Sequence, residues 1–347
     1  MANENGGGNS PPIIEIGDAP DLTRVMRPVP CENGNTVVAS WSSLEVFAAQ
    51  FKGDNGGKWW SRRNVRNDWS PEFNGAESFD AALDMAVHGW AEGGVTIERT
   101  RGYIRALNPI SPKLTKYGIA GTTPNVPRAI AGNILNMRQP KPTATMKKKI
   151  ITIVYNMCEN GNINAEMITN KAAVTAALID EIEAKGFSVE VVAAVVSNGG
   201  GRTWDGPAPP MRAYEFVRIK EAHHPIDINR IAFGLGHASM FRGLFFADMQ
   251  RNHEFSSIGS GLGSASSTTP TKDLIEDQVY TITGARSGVS ATLFDNIDNS
   301  VTKGLDAIVR ELRQQGCPAF PQLKDHEDDL EKSEEENPSV PEPHWSY

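Results

Sequence analysis

Two β-branched runs set about fifty residues apart, with a helical stretch between them, constrain this chain more than any other feature. Lys149 to Tyr155 (KIITIVY) is continuous and apolar, as in a strand buried on both faces. Ala165 to Lys185 is Ala-rich with apolar residues near helical spacing, and Gly186 sits where a helix stop belongs. Phe187 to Val196 (FSVEVVAAVV) is a second buried run. Strand, helix and strand in that order form a βαβ unit, whose two strands run parallel.

The rest of the C-terminal half extends this unit. Tyr214 to Lys220 (YEFVRIK) reads as a third, half-exposed strand, and Asp227 to Gln250 as mostly helical. Gln278 to Thr283 reads as a further strand, and Val301 to Gln315 as an amphipathic helix ended by Gly316 and Pro318. The expected fold class is α/β, with a mainly parallel sheet and flanking helices over residues 146–318. A Gly/Ser-rich loop, 256–272, interrupts it. The N-terminal side is less legible. Residues 1–12 are polar and Gly-rich and read as disordered, and 13–60 hold short apolar runs broken by Pro and Gly. Residues 13–145 together read as an irregular, basic, aromatic-containing region. Within it, Ser78 is placed to cap a helix from Phe79 to His88 that stops at Gly89.

Charge is distributed unevenly. The net −8 equals the charge of the segment from Asp325 to Tyr347 alone, which holds nine acids and one base. Residues 319–347 therefore read as a disordered acidic tail. Lys58 to Lys149, by contrast, holds fifteen Lys and Arg against seven Asp and Glu. A cationic region and an acidic tail in one chain point to an anionic-polymer partner.

Three cationic groups carry that expectation. In Lys58–Arg66 (KWWSRRNVR), Lys58, Arg62, Arg63 and Arg66 surround Trp59 and Trp60, with Trp69 just after. Single-strand binders need cations along the phosphates and flat rings for the bases. Adjacent tryptophans on a strand cannot both face one core; the competing reading is core rings among surface ion pairs. Thr96 to Leu107 (TIERTRGYIRAL) alternates enough to read as a strand or hairpin, placing Arg99, Arg101, Tyr103 and Arg105 on one face. Lys113, Lys116 and Tyr117 continue that character, and Lys147 and Lys148 precede the first buried strand. Arg202, in the loop Asn198 to Trp204 after the second buried strand, completes the DNA-binding candidates. Trp345 and Tyr347, at the end of the acidic tail, are candidates for a protein partner.

Enzymatic chemistry is not expected. No nucleophile, base and orienting group come together, and the glycines from Gly259 to Gly263 follow no strand and open no helix. His223, His224, His237 and His253 lack metal-ligand spacing. Cys31, Cys158 and Cys317 are far apart and odd in number, against a disulfide framework or a zinc site. The βαβ unit invites comparison with the von Willebrand A fold, which carries an Asp-x-Ser-x-Ser metal motif at the end of its first strand. Asn156-Met-Cys-Glu-Asn160 stands there instead, so a metal-less von Willebrand A-like domain is the expectation, with no cofactor. No run of about 18 apolar residues occurs, and the N-terminus lacks a signal-peptide pattern. Cytoplasmic localisation is expected.

Three segments carry a family resemblance: Ser78 to Trp90 (SFDAALDMAVHGW), Pro127 to Gly132 (PRAIAG) followed by Met137, and the strand–helix–strand of 149–196. Over residues 60–320 the chain resembles the podoviral single-stranded-DNA-binding RNA polymerase cofactor family (Drc). That resemblance implies a phage protein in the bacterial cytoplasm. It further implies binding of single-stranded DNA with little sequence preference and recruitment of the phage RNA polymerase to promoters. It supplies no binding residues. Self-association is a further expected partnership, not one the resemblance supplies. The alternative is a phage protein-interaction or scaffold protein on the metal-less von Willebrand A-like domain.

Overall fold

The structure, a computed structural model, describes residues 13–31, 34–52, 66–107, 114–119, 123–140, 149–158, 163–199, 207, 209–255, 279–282 and 297–320. The chain begins with β1 (Ile13–Gly17), α1 (Pro20–Met26), β2 (Asn35–Trp41) and α2 (Leu44–Ala49). Three helices follow: α3 (Pro71–Asn74), α4 (Phe79–His88) and α5 (Ala91–Leu107). A small excursion comes next, with β3 (Leu114–Gly118), β4 (Thr123–Pro124), α6 (Val126–Ile130) and β5 (Met137–Pro140). The βαβ unit is β6 (Ile150–Asn156), α7 (Ala165–Ala184) and β7 (Ser188–Gly199). Then come β8 (Met211–Lys220), α8 (Ile228–Gly236), a π-helical turn at Met240–Phe245, α9 (Phe246–Arg251), β9 (Val279–Ile282) and α10 (Ile297–Gln314).

Six strands form one mixed, mostly parallel sheet in the order β1-β2-β8-β7-β6-β9. It consists of two parallel triplets, β1/β2/β8 and β7/β6/β9, joined at the antiparallel pair β7/β8. The α/β class and the parallel β6–β7 pair are as expected. Two differences have physical causes. First, β8 is buried along nearly its whole length rather than half-exposed. Its place between β2 and β7 covers both edges, and Tyr214 and Phe216 pack on one face while Ala213 and Val217 pack on the other. Second, residues 13–60 are not irregular throughout. β1 and β2 extend the same sheet beyond β8, a pairing between distant segments that no local pattern announces.

The core is lopsided. Helices α2, α4, α5 and α7–α10 pack on the face bearing Val37, Ile153, Val191 and Val217. Among the described residues, the opposite face is covered by Leu22 and Met26 of the short α1. Helix α7 is nearly all buried because its alanines let neighbours approach closely. Its N-cap Asn164 accepts a 2.8 Å bond from the Met167 N–H. Helix α4 starts and stops where the sequence placed it, with the Ser78 hydroxyl accepting from the Ala81 N–H at 3.1 Å and Gly89 beyond the last residue.

One backbone position fixes how β1 leaves the sheet. Gly17 has φ of +99°, and a Cβ there would lie 2.0 Å from the Ser40 carbonyl oxygen. Both the left-handed conformation and the contact exclude a side chain. Gly17→Ala is expected to cost at least about 2 kcal/mol, read as a lowered urea midpoint. An unchanged midpoint would show that β1 detaches at no cost.

Candidate nucleic-acid interface

Helix α5 disposes of the alternating basic strand. Thr96 to Leu107 is helical, so Arg99, Arg101, Tyr103 and Arg105 do not share a face. The inward positions Ile97, Thr100 and Arg101 follow a spacing of three and four. Arg101 is buried against α7, where its guanidinium bonds both oxygens of Asp180 and, at 2.7 Å, Glu98. It is a structural ion pair and offers nothing to DNA. Arg99 and Tyr103, four residues apart on the solvent side, remain exposed. Arg105 lies on the same helix, with its side chain outside the described set.

Arg66 is likewise committed. It pairs with Asp80 at 2.7 Å and lies 4.7 Å over the Phe79 ring. Trp69 is a packing residue, its indole N–H bonded to the Ala76 carbonyl at 2.7 Å and its ring edge-on to Phe79. Lys58, Trp59, Trp60, Arg62, Arg63, Lys113, Lys147, Lys148, Arg202, Trp345 and Tyr347 lie outside the described residues. Lys116 sits on β3 opposite Gln139, its side chain also undescribed.

The excursion after α5 forms a three-stranded antiparallel sheet of its own, order β3-β5-β4, closed by α6. Asn125 organises it. Its side-chain oxygen accepts from the Arg128 N–H at 3.1 Å to cap α6, and its amide donates to the Tyr117 hydroxyl at 3.0 Å. Arg128 then stacks on the Tyr117 ring, 4.2 Å from its centroid. These elements pack chiefly on one another, and their apolar side chains face outward: Ile119 is 74% exposed, Ile130 82% and Ile134 73%.

Charge on this part of the chain splits sharply. From Arg99 to Cys158 there are eleven Lys and Arg and no Asp or Glu. From Arg66 to Glu98 there are seven acids and one base. Summing across both conceals the division. Helix α5 spans the boundary, acids toward its N-terminus and bases toward its C-terminus, which also suits its dipole.

Two other polar clusters lie elsewhere in the fold. A cleft of about 290 Å³ lies beyond the carboxyl ends of β2 and β8, lined by Ser42, Ser43, Arg218, Lys220, His224 and Arg230. Its cations are already used: Arg218 pairs with Asp21 and Glu190, Lys220 with Glu183, and Arg230 with Glu45. The second cluster is the carboxyl pair of Glu215 on β8 and Asp248 on α9, both fully buried beside the π-helical turn. Burial pushes the Glu215 carboxyl well above the usual range, and Asp248 opposite pushes it further. Burial raises the Asp248 carboxyl as well, and Glu215, shifted further, is the member that holds a proton. A pair with no exposure has no route to a substrate.

At the end of β6, the Asn156 side-chain oxygen accepts from the Cys158 N–H at 2.8 Å. Among the described residues no three His, Cys, Asp or Glu side chains group as metal ligands, and no helix is long and apolar enough to cross a membrane. The model of the family described as Domain of unknown function (DUF7192) matches residues 21–316, so the chain belongs to that family. No curated protein and no solved structure matches it.

Proposed function

We propose that this member of the DUF7192 family is a non-catalytic single-stranded DNA-binding protein. One observation carries the reading: sixty residues from Arg99 to Cys158 with eleven bases and no acid, part of them in an outward-facing excursion. Phosphate binding needs cations whose charge is not already spent on carboxylates. Arg99 and Lys149 meet that need at exposed positions, whereas Arg66 and Arg101 do not. Exposed bases would find Tyr103 and the apolar side chains of the excursion. Recruitment of a phage RNA polymerase in the host cytoplasm, with Trp345 and Tyr347 as contacts, is the wider role this reading assigns.

Arg99→Ala combined with Lys149→Ala is expected to leave the fold intact. It should reduce the slope of log affinity against log salt by about 1 to 2 for a labelled single strand. An unchanged slope removes these residues from the interface. A duplex that competes as well as single strand defeats the single-strand reading altogether. A second reading, a protein-interaction scaffold on a von Willebrand A-like domain, draws on Asn156 at the strand end where that fold carries its metal carboxylate. Absence of oligonucleotide binding even at low salt would favour it.

A further inference from the structure

We propose that the excursion spanning residues 114–140 is a self-association arm, which docks head-to-tail onto the acidic α3–α5 strip of a second copy of this chain. The inference goes beyond DNA binding and does not depend on it.

A three-stranded sheet this small is stable only when one face is covered. This one turns Ile119, Val126, Ile130 and Ile134 to solvent, and its elements pack chiefly on each other. Four large apolar side chains exposed on so small a unit mark an interaction surface. The arm has no acid and carries Lys116, Arg128 and Arg138, so a partner surface must be acidic as well as apolar. Two arms facing each other would bring like charges together.

The chain itself presents the complement. Between Arg66 and Glu98, on α3, α4 and α5, Glu72, Glu77, Asp84 and Glu92 are exposed, as are Phe73 (41%), whose ring Arg242 covers on one side, and Val95 (62%). An apolar, cationic arm therefore matches an acidic surface with apolar residues set into it. Arm and strip are different surfaces of one molecule, so the contact is heterologous. Repeated, it builds an open chain of copies rather than a closed symmetric dimer.

Sedimentation of the full chain without nucleic acid tests this. The average mass should rise continuously with concentration. The rise should weaken as added salt shortens the Debye length below about 8 Å. An arm variant, Ile130→Ser with Ile134→Ser, and a strip variant, Glu72→Lys with Glu92→Lys, should each weaken association about tenfold or more. Both pairs sit on exposed positions, so folding, checked by circular dichroism, should survive. Mixed together, the two variants should form a one-to-one dimer that grows no further, because one supplies an intact strip and the other an intact arm. A monomer at every concentration overturns the proposal. So does association that strengthens with salt, or a strip variant that still associates with itself; both would mean arm-to-arm pairing.

Discussion

Arg101→Ala should destabilise the protein by about 3–5 kcal/mol, while Arg99→Ala, two residues away, should cost less than about 0.5 kcal/mol. The contrast arises because helix α5 turns the two arginines to opposite sides. Arg101 lies between α5 and α7, and its partner Asp180 is itself only 11% exposed. Truncating the arginine leaves a carboxylate in a site that water barely reaches, and that desolvation sets the size of the effect. Replacing both partners, Arg101→Met with Asp180→Leu, removes the orphaned charge. It should recover most of the loss. Urea denaturation of the four proteins decides the matter. A small effect for Arg101→Ala would mean that Asp180 finds another donor. If the double replacement is as unstable as the single one, the ion pair contributes net stability and does not merely avoid a penalty.

The same residue shows why part of the architecture was legible and part was not. The βαβ unit could be read from sequence because its strands are apolar on both faces and its helix follows at once. Continuous β-branched runs have few other uses. Helix α4 could be read from its cap and its stop, both of which are local chemistry. Helix α5 was misread because Arg101 occupies an inward position, interrupting the apolar stripe that would have revealed the helical period. Gly93 and Gly94 weaken the local propensity further, yet both sit in close contact with neighbouring side chains. A Cβ on Gly94 would lie 2.1 Å from the Asn229 side-chain oxygen. Strands β1 and β2 give no local signal of a sheet because β2 pairs with β8 more than 170 residues further along the chain, and β1 joins the sheet only through β2. Two of the cationic candidates, Arg66 and Arg101, fail for a more general reason. Sequence counts charges, but only structure shows that Arg66 and Arg101 have spent theirs on Asp80 and Asp180. The absence of any acid from Arg99 to Cys158 was visible in the sequence. It was obscured by summing that stretch with the acidic one before it.

Stability should depend on pH at both ends of the accessible range, through two buried groups acting in opposite senses. On the acid side the group is His237. It is 6% exposed, stacked on Phe233 and edge-on to Trp90, with its Nδ1 2.7 Å from the Ser239 hydroxyl. Burial lowers its pKa from 6.5 to about 4. Between those values the unfolded chain binds the proton and the folded chain does not. Stability is therefore fully present above pH 6.5 and falls by about 3 kcal/mol in all as the pH drops through 4. On the alkaline side the group is Glu215. Its pKa is raised by burial first and by Asp248 second, with Cys158 adding to the rise and Arg251 opposing it. The folded state holds a proton that the unfolded state has lost, so stability falls as the pH climbs above the ordinary value of 4.5 toward the raised one. Glu215→Gln keeps the shape but removes the titrating carboxyl, and one Asp248 oxygen already accepts from Asn252 at 2.7 Å. The variant should match the parent near pH 5 and exceed it near pH 8, with the alkaline decline reduced to what the buried Asp248 carboxyl contributes and the acid slope from His237 intact. Chemical denaturation across that range gives both slopes in one experiment. If Glu215→Gln keeps the parent's alkaline decline, or is less stable at every pH, Glu215 is not the proton-holding member of the pair.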